Sequence, residues 1–479
     1  MTKMMTLQQA LVALATTDKA SGVGEMMAEF AAVSTDTRKI KPGDLFVALR
    51  GPNFDGHEFI AQARECGAVG AIVDHAVDDA LPQIVVTDSR VALGHLGAYW
   101  RSRFSAVVLG ITGSNGKTTV KEMLAAILAA YMEQSQGAHP GMVLATEGNL
   151  NNDIGVPLML LRLRSQQHRF GVIEMGANHP GEIDYLSTLV QPDVAMITNA
   201  GYAHIEGFGG TVEHVARAKG EIWMGLKESG TAVINADDTY ADYWRELVGE
   251  RAVLTFGMTP NCDVALGDGG VQWALEEGCF KSHFVIQTAS GSVDISMSLA
   301  GRHNVMNALA AAAAALAAGA TLAAVQAGLN AMRPVKGRLQ PKVAATGQLL
   351  IDDSYNANPQ SMNAAVDVLV QAPGQTILVM GDMGELGEQA PSLHYKVGAR
   401  AQQQGVTRLL ATGPLCREAV HGFGPTAQWF ETQNELIAAL SSMLAQSDYS
   451  QAAVLVKGSR SAGMERVIEA LQLQGGRPC

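Results

Sequence analysis

The sequence contains few cysteines, and they are far apart. The five are Cys66, Cys262, Cys279, Cys416 and Cys479, and none belongs to a C-x-x-C pair. Such spacing argues against a structural zinc site and against a disulfide framework. We therefore expect a protein of the reducing cytoplasm.

Basic residues are outnumbered by acidic ones. Lysine and arginine total 34 against 46 aspartate and glutamate residues, which gives a formal net charge of -12 at pH 7. An acidic surface repels nucleic acid and anionic membranes. The charge balance therefore argues against a nucleic-acid partner, and any anionic ligand must be held by a local cluster of donors.

Long hydrophobic runs are missing as well. The longest, "ALAAAAAALAAGA" from Ala308 to Ala320, is too short to span a membrane and is typical of a packed interior helix. The N-terminal "MTKMMTLQQALVALATT" lacks the apolar core of a signal peptide. We expect no stable membrane insertion, and because no exposed heptad pattern demands a partner, we expect a monomer.

Strand patterns alternate with helical patterns along most of the 479 residues. Strand candidates at 44–49, 68–74 and 82–88 form a small first unit, and a second series begins near residue 106. Residues 261–300 alternate apolar and polar side chains, which predicts a short antiparallel appendage. The strand–helix rhythm restarts after "MRPVKGRLQ".

We therefore predict an α/β fold of three domains. These are a small α/β N-terminal domain (1–100), a central P-loop ATPase domain with a parallel sheet (101–333) and a C-terminal Rossmann-like, doubly wound domain (334–479). Ligands of such sheets bind beyond the carboxyl ends of the strands. Polar residues that directly follow apolar runs are therefore the candidate site residues.

A glycine-rich turn separates a strand from a helix in "VVLGITGSNGKTTVKEM", residues 107–123. Its backbone N–H groups and the helix dipole stabilise an anion, its lysine supplies charge for the outer phosphates, and its hydroxyl suits magnesium. The turn is a variant P-loop, because Ile111 stands where the strict pattern has glycine. The predicted ATP-binding residues of this turn are Gly113, Ser114, Asn115, Gly116, Lys117, Thr118 and Thr119.

Three further residues have two interpretations each. Glu174 ends the run "RFGVIE" and is either a solvated carboxylate or the magnesium-side carboxylate of a nucleotidase. His204 lies in the glycine-rich "ITNAGYAHIEGFGG", where a ligand role competes with that of an ordinary satisfied histidine. Lys219 lies in a stretch with helical spacing, and from the residues alone we expect a solvated lysine.

Side-chain amides and a guanidinium supply further candidates. Asn304 and Asn307 are three apart on one helix face, where they read an adenine edge or, in the case of Asn304, cap the helix. Arg338 offers a planar fork suited to phosphate. The segment "DDSYNANP" follows an apolar strand and presents Asp353, Tyr355, Asn356 and Asn358.

Ten ordered motifs along nearly the whole chain resemble those of the Mur ligase family of ATP-dependent amide-forming enzymes. They are "STDTRKIKPGDLFVALRGPNFDGHEFI", "TGSNGKTT", "TEGNLNNDIGVP", "EMGANHPGEI", "TNAGYAHIEGFG", "AKGEI", "GRHNVMNALAA", "DDSYNANPQSM", "MGDMGELG" and "KGSRSAGME". Members of this family use a T-G-[ST]-x-G-K-[ST] turn, which accounts for the missing first glycine of the P-loop.

The resemblance implies ATP and Mg²⁺ as cofactors. Thr118, Glu174 and His204 would be magnesium ligands, and the lysine that matches Lys219 is carbamylated in related ligases, which would make it a further ligand. The implied catalytic residues are Lys117, Glu174, His204, Lys219 and Arg338. The implied ATP-binding residues beyond the P-loop are Asn304, Asn307, Arg338 and Asp353.

The resemblance also implies the substrates. The first domain would hold the UDP end of UDP-N-acetylmuramoyl-tripeptide, and the third would bind the incoming D-Ala-D-Ala and close over ATP. "DDSYNANP" matches the dipeptide-adding members, and the D-N-P-R motif that selects diaminopimelate in a neighbouring ligase is absent from the sequence. The implied substrate-binding residues are Ser34, Asp36, Arg38, Asn149, Asn151, Asn152, Tyr355 and Asn356.

The predicted reaction is amide formation through an acyl phosphate, within a cleft that closes about the hinge "MRPVKGRLQ". Two alternatives are another Mur-type or folyl-polyglutamate-type ligase, and a P-loop ATPase that uses hydrolysis to change shape. Phosphate release separates the classes, because a ligase needs both substrates for it and a switch protein needs neither.

Overall fold

The computed structural model describes residues 3–136, 141–276 and 279–472. Its three large β-sheets contain five, ten and six strands. One sheet lies in each predicted domain, and helices cover the sheets. The predicted α/β fold with three domains is therefore confirmed, whereas the domain boundaries stay a prediction.

The first sheet is mostly parallel. The strands of this region are β1 (Met5–Thr6), β2 (Ser21–Val23), β3 (Glu29–Phe30), β4 (Ala32–Ser34), β5 (Asp44–Val47), β6 (Arg50–Gly51), β7 (Phe54–Asp55), β8 (Gly70–Val73) and β9 (Gln83–Val85). Its helices are α1 (Leu7–Ala15), α2 (Ile60–Glu65) and α3 (Ser89–Ser102). The sheet order is β2-β9-β8-β5-β4, so the three strands predicted in this region are confirmed as β5, β8 and β9.

The second sheet forms the centre of the molecule. Its strands are β10 (Val107–Thr112), β11 (Val143–Ala145), β12 (Phe170–Glu174), β13 (Val194–Ile197), β14 (Thr231–Asn235), β15 (Ala252–Gly257), β16 (Val264–Leu266), β17 (Gln272–Glu276), β18 (Cys279–Thr288) and β19 (Gly291–Met297). The helices are α4 (Lys117–Gln136), α5 (Gly155–Leu160), α6 (Glu182–Val190), α7 (Val212–Gly220), α8 (Ile222–Gly225), α9 (Ala241–Val248), α10 (Arg302–Ala317) and α11 (Leu322–Asn330).

The order of the central strands places a ligand crevice at the P-loop. Strands β11-β12-β10-β13-β14-β15-β16 are all parallel, and β10 has β12 on one side and β13 on the other. The strands that follow β10 in the chain therefore lie first on one side of it (β11 and β12) and then on the other (from β13 onward). Such a switch point opens a crevice at the carboxyl end of the strand. The P-loop turn follows β10 directly.

The antiparallel part at 261–300 is confirmed, and it continues the central sheet. Strand β18 pairs in antiparallel fashion with β16, β17 and β19. Strand β16 pairs in parallel with β15, which joins this part to the rest of the sheet.

The third sheet is parallel apart from its first strand. Its strands are β20 (Gln340–Val343), β21 (Leu349–Asp353), β22 (Thr376–Gly381), β23 (Arg408–Thr412), β24 (Ala427–Phe430) and β25 (Ala453–Lys457). Its helices are α12 (Pro359–Leu369), α13 (Ala390–Gln403), α14 (Cys416–Phe423), α15 (Gln433–Leu444) and α16 (Glu465–Leu471). The order β20-β21-β25-β22-β23-β24 puts the last strand beside the second, so Asp353 is opposite Lys457 in register.

Helix α10 confirms the predicted interior helix. Its residues from Ala308 to Ala315 are all buried, and small side chains allow it to lie close to α4 and to the central strands. The residue that precedes the helix is Gly301, and the Asn304 amide donates to the Ala300 carbonyl at 2.7 Å. The alternative role of Asn304 as the helix cap is therefore wrong, because the cap position lies three residues earlier.

No helix within the three described ranges is both long and apolar enough to cross a bilayer. Cys66, Cys262 and Cys416 are free thiols. Cys279 is disulfide-bonded, which the spacing of the cysteines does not indicate, because separation along the chain does not fix separation in space. Cys479 lies outside the described residues.

Candidate active site

A cavity of about 1100 Å³ lies where the carboxyl ends of β10 and β12 face those of β21 and β25. The predicted site residues that line it are Ser114, Asn115, Gly116, Lys117, Thr118, Thr119, Asn149, Asn151, Asn152, Glu174, His204, Asn304, Asn307, Arg338, Asp353, Tyr355 and Asn356. The predicted residues outside its lining are Gly113, Lys219, Ser34, Asp36 and Arg38. The fold therefore gathers most of the candidates from two domains around one space.

Glycine conformations hold the P-loop turn. Gly113 has φ +144° and Gly116 has φ +82°, a region that other L-residues rarely adopt. A Cβ atom on Gly116 would lie 2.3 Å from Oδ1 of Asn307, so the turn approaches α10 more closely than a side chain permits. Lys117 Nζ donates to the Gly113 carbonyl at 2.6 Å, and burial lowers its pKa. The ammonium therefore lies inside the turn, where phosphate oxygens would replace the carbonyl.

Glu174 is 2 % exposed, so its interpretation as a solvated carboxylate is wrong. Its Oε1 accepts hydrogen bonds from Asn151 Nδ2 at 2.9 Å and from the Thr118 hydroxyl at 3.3 Å. Its Oε2 is buried and has no hydrogen-bond partner among the described residues. A buried, unpartnered carboxylate oxygen beside a P-loop hydroxyl fits a cation that prefers oxygen ligands, such as Mg²⁺.

Asn115, at the tip of the P-loop, is held from both domains. Its amide N–H donates to Asn199 Oδ1 at 2.9 Å, and its carbonyl accepts from the Thr198 hydroxyl at 2.7 Å. Its side-chain oxygen accepts from Asn358 Nδ2 at 2.7 Å, and its Nδ2 donates to Gln360 Oε1 at 3.2 Å. The first two contacts fix the loop on the central sheet, and the last two connect it to the third domain.

Arg338 crosses from the third domain to the P-loop. Its guanidinium donates to the Thr118 hydroxyl at 3.0 Å and lies over the Tyr355 ring, 4.4 Å from the ring centre. The next residue, Leu339, has φ +49°, and its amide N–H donates to Asp353 Oδ1 at 3.1 Å. Stacking and this tight turn therefore aim the planar guanidinium at the P-loop.

Asp353 belongs to a buried ion pair at the ends of β21 and β25. Lys457 Nζ lies 2.6 Å from Asp353 Oδ2 and donates to the Asn356 carbonyl at 2.8 Å. Burial raises the pKa of Asp353, and the lysine acts against that rise. Sequence reasoning missed Lys457, although a polar residue that ends the apolar run "AVLVK" carries the same signal as Glu174.

Lys219 is 1 % exposed, so the expectation of a solvated lysine is wrong. It lies in the last turn of α7 on the buried face, with Nζ 4.9 Å from the centre of the Phe208 ring. Burial, followed by repulsion from Lys117, lowers its pKa to about 7. A lysine with this pKa is partly neutral at physiological pH, and a neutral amine is a nucleophile.

His204 lies in a turn with φ +56°. Its Nδ1 is in close contact with the carboxylate of Glu385 of the third domain, and the residue lines the cavity. This histidine therefore has a carboxylate partner, which sequence reasoning did not find because the two residues are 181 positions apart (385 − 204).

The two asparagines of α10 share one face, as predicted. Asn307 Nδ2 donates to Asn304 Oδ1 at 3.1 Å, and both residues line the cavity next to the P-loop. Met258, Leu299 and Met306 also line the cavity. Apolar walls with a few amide groups are typical of a site for a planar heterocycle.

The first-domain candidates form a turn of their own outside the cavity. The Ser34 hydroxyl donates to the Asp36 carbonyl at 2.9 Å, and Arg38 Nε lies 2.9 Å from Asp36 Oδ1. The Arg38 side chain is 84 % exposed. Their role in binding substrate stays a prediction.

The far end of the cavity has residues that sequence reasoning missed. Arg90 of α3 forms a bidentate pair with Asp153, whose NH2–Oδ1 distance is 2.8 Å, and Tyr185 lies beside them in the lining. This pair joins the first domain to the central domain. Its partners are 63 positions apart, so no local pattern could have found it.

Family models of the Mur ligases match three parts of the chain. The Mur ligase family catalytic domain matches residues 29–99, the Mur ligase middle domain residues 111–315, and the Mur ligase glutamate ligase domain residues 337–460. The three matches fall on the three sheets in order, and the middle one includes the P-loop.

Individual relatives match from one end to the other. The UDP-N-acetylmuramoyl-tripeptide--D-alanyl-D-alanine ligase of Escherichia coli (strain K12) is 45% identical over 444 residues, which is 93% of this chain and 94% of the relative. Crystal structure I of MurF from Acinetobacter baumannii has a TM-score of 0.88 at 37% identity, covering 97% of this chain and 98% of that one. The MurF ligase from Thermotoga maritima in complex with ADP has a TM-score of 0.78 at 27% identity, covering 92% and 96%. With its sheets, its P-loop cavity and its sequence all matched in this way, the chain belongs to the Mur ligase family.

Proposed function

We propose that this chain joins D-alanyl-D-alanine to UDP-N-acetylmuramoyl-tripeptide at the expense of ATP, a step of peptidoglycan precursor synthesis. The observation that carries the proposal is one cavity in which a P-loop and a third-domain arginine meet, with Arg338 donating to Thr118 at 3.0 Å. The E. coli relative supports the two substrates by its name. The T. maritima relative supports the nucleotide, because its structure contains ADP.

The residues around the P-loop turn and Glu174 fit a magnesium ion. Thr118, Glu174 and His204 would hold it, together with Lys219 if that side chain is carbamylated. The unpartnered Glu174 Oε2 supports this assignment, since a buried carboxylate oxygen needs a partner. A bound Mg²⁺ would neutralise charge on the transferring phosphoryl group.

The chemistry begins with a carboxylate, which an amine does not attack unaided because the leaving group would be oxide. An oxygen of the tripeptide carboxylate therefore attacks the γ-phosphorus of ATP, forming an acyl phosphate and releasing ADP. The Lys117 ammonium and the Arg338 guanidinium stabilise the negative charge on the equatorial oxygens during this step. The amine of D-Ala-D-Ala then attacks the acyl carbon and forms the C–N bond. The amine nitrogen loses a proton, the C–O bond to the phosphate breaks, and phosphate leaves.

The acyl phosphate must be protected from water, and the third domain provides the cover. Asn358 and Gln360 contact Asn115 across the domain boundary, so the third domain closes one side of the P-loop. Holding both reactants in line contributes about 7 to 11 kcal/mol to a two-reactant step. We propose the segment 332–340 as the hinge of this closure.

Substrate contacts follow the line of the cavity. We propose that the muramyl peptide lies along the asparagines that run from Glu174 toward Arg90, and that the UDP end reaches the exposed turn of the first domain. The residues proposed for the UDP end are Ser34, Asp36 and Arg38, those for the muramyl peptide are Asn149, Asn151 and Asn152, and those for the third-domain side are Tyr355 and Asn356.

Carbamylation of Lys219 is part of the proposal. CO₂ adds to a neutral amine and a proton leaves, which converts the side chain into a carboxylate-like ligand. The pKa of about 7 supports this, because a sizeable neutral fraction is present at neutral pH. A ¹³C NMR carbamate signal from protein in ¹³C-bicarbonate, absent in Lys219→Arg, is the expected result.

A product assay by mass spectrometry tests the proposed reaction. Purified protein with ATP, Mg²⁺, UDP-muramyl tripeptide and D-Ala-D-Ala should give the pentapeptide, and phosphate release should need both substrates. With the tripeptide carboxylate labelled by oxygen-18, one labelled oxygen should appear in phosphate. Hydrolysis of ATP without either substrate, or phosphate free of label during turnover, would contradict the proposal.

A further inference from the structure

A loop of the third domain, residues 383–389, docks on residues 201–210 of the central domain. The Glu206 amide N–H donates to the Glu385 carbonyl at 3.5 Å, and Gln389 Nε2 donates to the Gly210 carbonyl at 3.3 Å. A Cβ atom on Gly387 would lie 3.7 Å from the Glu206 side chain. The two loops are therefore in contact along the length of the third-domain loop.

The centre of this contact is the close approach of His204 Nδ1 to the carboxylate of Glu385. Nδ1 is shielded from solvent and has no aligned hydrogen bond among the described residues, so the carboxylate is the polar group that it meets. The His204 side chain lines the cavity, whereas Glu385 lies outside the lining. Glu385 thus contacts the ring nitrogen Nδ1 from outside the cavity. The other ring nitrogen, Nε2, is then the one available to a ligand in the cavity.

Both residues have unusual backbone conformations. His204 has φ +56° and Glu385 has φ +59°, the left-handed region that residues other than glycine rarely adopt. Such conformations are strained and persist where the surrounding structure demands them. The two residues contact each other across the domain boundary. This contact is therefore the part of the structure that both conformations support.

We propose that Glu385 is a positioning residue, which on closure of the third domain fixes the His204 ring so that Nε2 is presented to the metal of the cavity. This inference rests on the proposed function, in which His204 holds Mg²⁺. A histidine that binds a metal commonly donates its other ring N–H to a carboxylate, and loss of that carboxylate costs about 10- to 100-fold in metal affinity. Here the carboxylate comes from a different domain.

The position of Glu385 couples metal binding to closure of the third domain. When the third domain is away from the central domain, His204 lacks its carboxylate, so the metal binds more weakly in the open state. Linkage then requires that a bound metal favours closure by the same factor. The closed state is thus the state in which both the metal site and the contacts of the third domain with the P-loop are complete.

Metal binding without turnover tests the inference. Mn²⁺ is titrated into protein saturated with β,γ-methylene ATP, and free Mn²⁺ is measured by electron paramagnetic resonance against a nucleotide-only blank. Glu385→Ala should bind Mn²⁺ about 10- to 100-fold more weakly than the parent. Glu385→Gln keeps an acceptor oxygen and should recover part of that loss. Glu388→Ala, an exposed carboxylate of the same loop, should match the parent within about twofold.

Equal Mn²⁺ affinity of the parent and Glu385→Ala would overturn the inference, and so would an equal loss in Glu388→Ala. If Glu385→Ala melts at a lower temperature than the parent, the Mn²⁺ affinities of Glu385→Gln and Glu385→Asp test the inference instead. Glu385→Asp should bind Mn²⁺ more weakly than the parent, because its side chain is one methylene shorter. The product assay on the parent is separate. Its failure would remove the ligase assignment, whereas an unchanged Mn²⁺ affinity in an active ligase would remove this inference alone.

Discussion

The P-loop wall of the cavity is held by contacts within the central domain, whereas the third-domain wall reaches the same space across a domain boundary. By the P-loop wall we mean residues 113–119 with Glu174, and by the third-domain wall Arg338, residues 353–361 and Lys457. In the P-loop wall, Lys117 bonds to Gly113 and Glu174 bonds to Thr118. Both contacts lie wholly within the central domain.

The third-domain wall depends on closure. Arg338 donates to Thr118 and Asn358 donates to Asn115, and each of these bonds joins the two domains. The P-loop wall therefore resembles a preformed nucleotide site, and the third-domain wall completes it. Variants of the first wall should lose nucleotide binding together with turnover, whereas variants of the second should keep binding and lose turnover.

The largest expected effect comes from the P-loop wall. Lys117→Ala removes the ammonium inside the turn and should lower kcat by about 10³-fold or more, and it should also weaken binding of β,γ-methylene ATP. The affinity is measured by calorimetry, and the turnover is measured by phosphate release. Lys227→Ala, which removes a lysine paired with Asp193 outside the cavity lining, is the matched control and should retain both. Full nucleotide affinity in Lys117→Ala would show that the P-loop wall does not act as a preformed site.

Arg338 gives the next largest effect, on the other wall. Arg338→Ala should lower kcat by about 10²-fold with nucleotide affinity changed by less than about threefold, because its fork acts on charge that develops in the transition state. Arg338→Lys should recover little, since a point charge lacks the planar fork and the stacking on Tyr355. A loss of nucleotide affinity equal to that of Lys117→Ala would break the comparison between the walls.

The same contrast governs what could be predicted from the sequence. The P-loop wall is local: strand, glycine turn and helix are contiguous, and Glu174 is marked by its position at the end of an apolar run. The spacing of Asn304 and Asn307 sufficed to place them on one face. The predicted placement of these residues is confirmed because short-range geometry fixes it, whereas their roles stay a prediction.

Burial and long-range pairing were the parts that local patterns could not supply. Lys219 has the spacing of an exposed helical residue, yet its face packs on the core, and no window of sequence shows which face is covered. Lys457 pairs with Asp353 because the last strand of the third sheet inserts beside the first parallel one. The contact of Glu385 with His204 depends on how two domains meet, which no local pattern in the sequence shows.

Substitution of Asn358 tests domain closure separately from stability, and its expected effect on turnover is smaller than that of Arg338→Ala. Its Oδ1 caps α12 by accepting from Ser361 N–H at 2.9 Å, and its Nδ2 donates to Asn115 across the boundary at 2.7 Å. Asn358→Asp keeps the cap and replaces the donor with a carboxylate, so turnover should fall about tenfold with little change in melting temperature.

A second cap in the third domain is the matched control for Asn358. Thr432 caps α15 in the same manner and lies outside the cavity lining. Thr432→Ala should cost about 1 kcal/mol of stability and leave kcat unchanged. Equal turnover of Asn358→Asp and the parent would show that this bond across the boundary plays no part in closure.

The smallest expected effect is on the pH dependence of stability, at the place where the two walls meet. Burial, followed by repulsion from Lys457 of the third-domain wall, lowers the pKa of His303 to about 4. The folded protein therefore resists protonation of His303, whereas the unfolded chain takes up the proton near pH 6.5. His303 thus gives its full contribution to stability above about pH 6.5, and that contribution is lost as the pH falls toward 4.

At pH 5 the loss attributable to His303 is at most about 2 kcal/mol, and screening by cavity water reduces it to about 1 kcal/mol. Urea unfolding at pH 7.5 and pH 5 should therefore show that His303→Gln loses less stability between the two pH values than the parent does. His421→Gln, which changes an exposed histidine of the third domain, should behave as the parent. An identical pH dependence in His303→Gln and the parent would mean that burial and Lys457 do not lower the pKa of His303 in the folded protein.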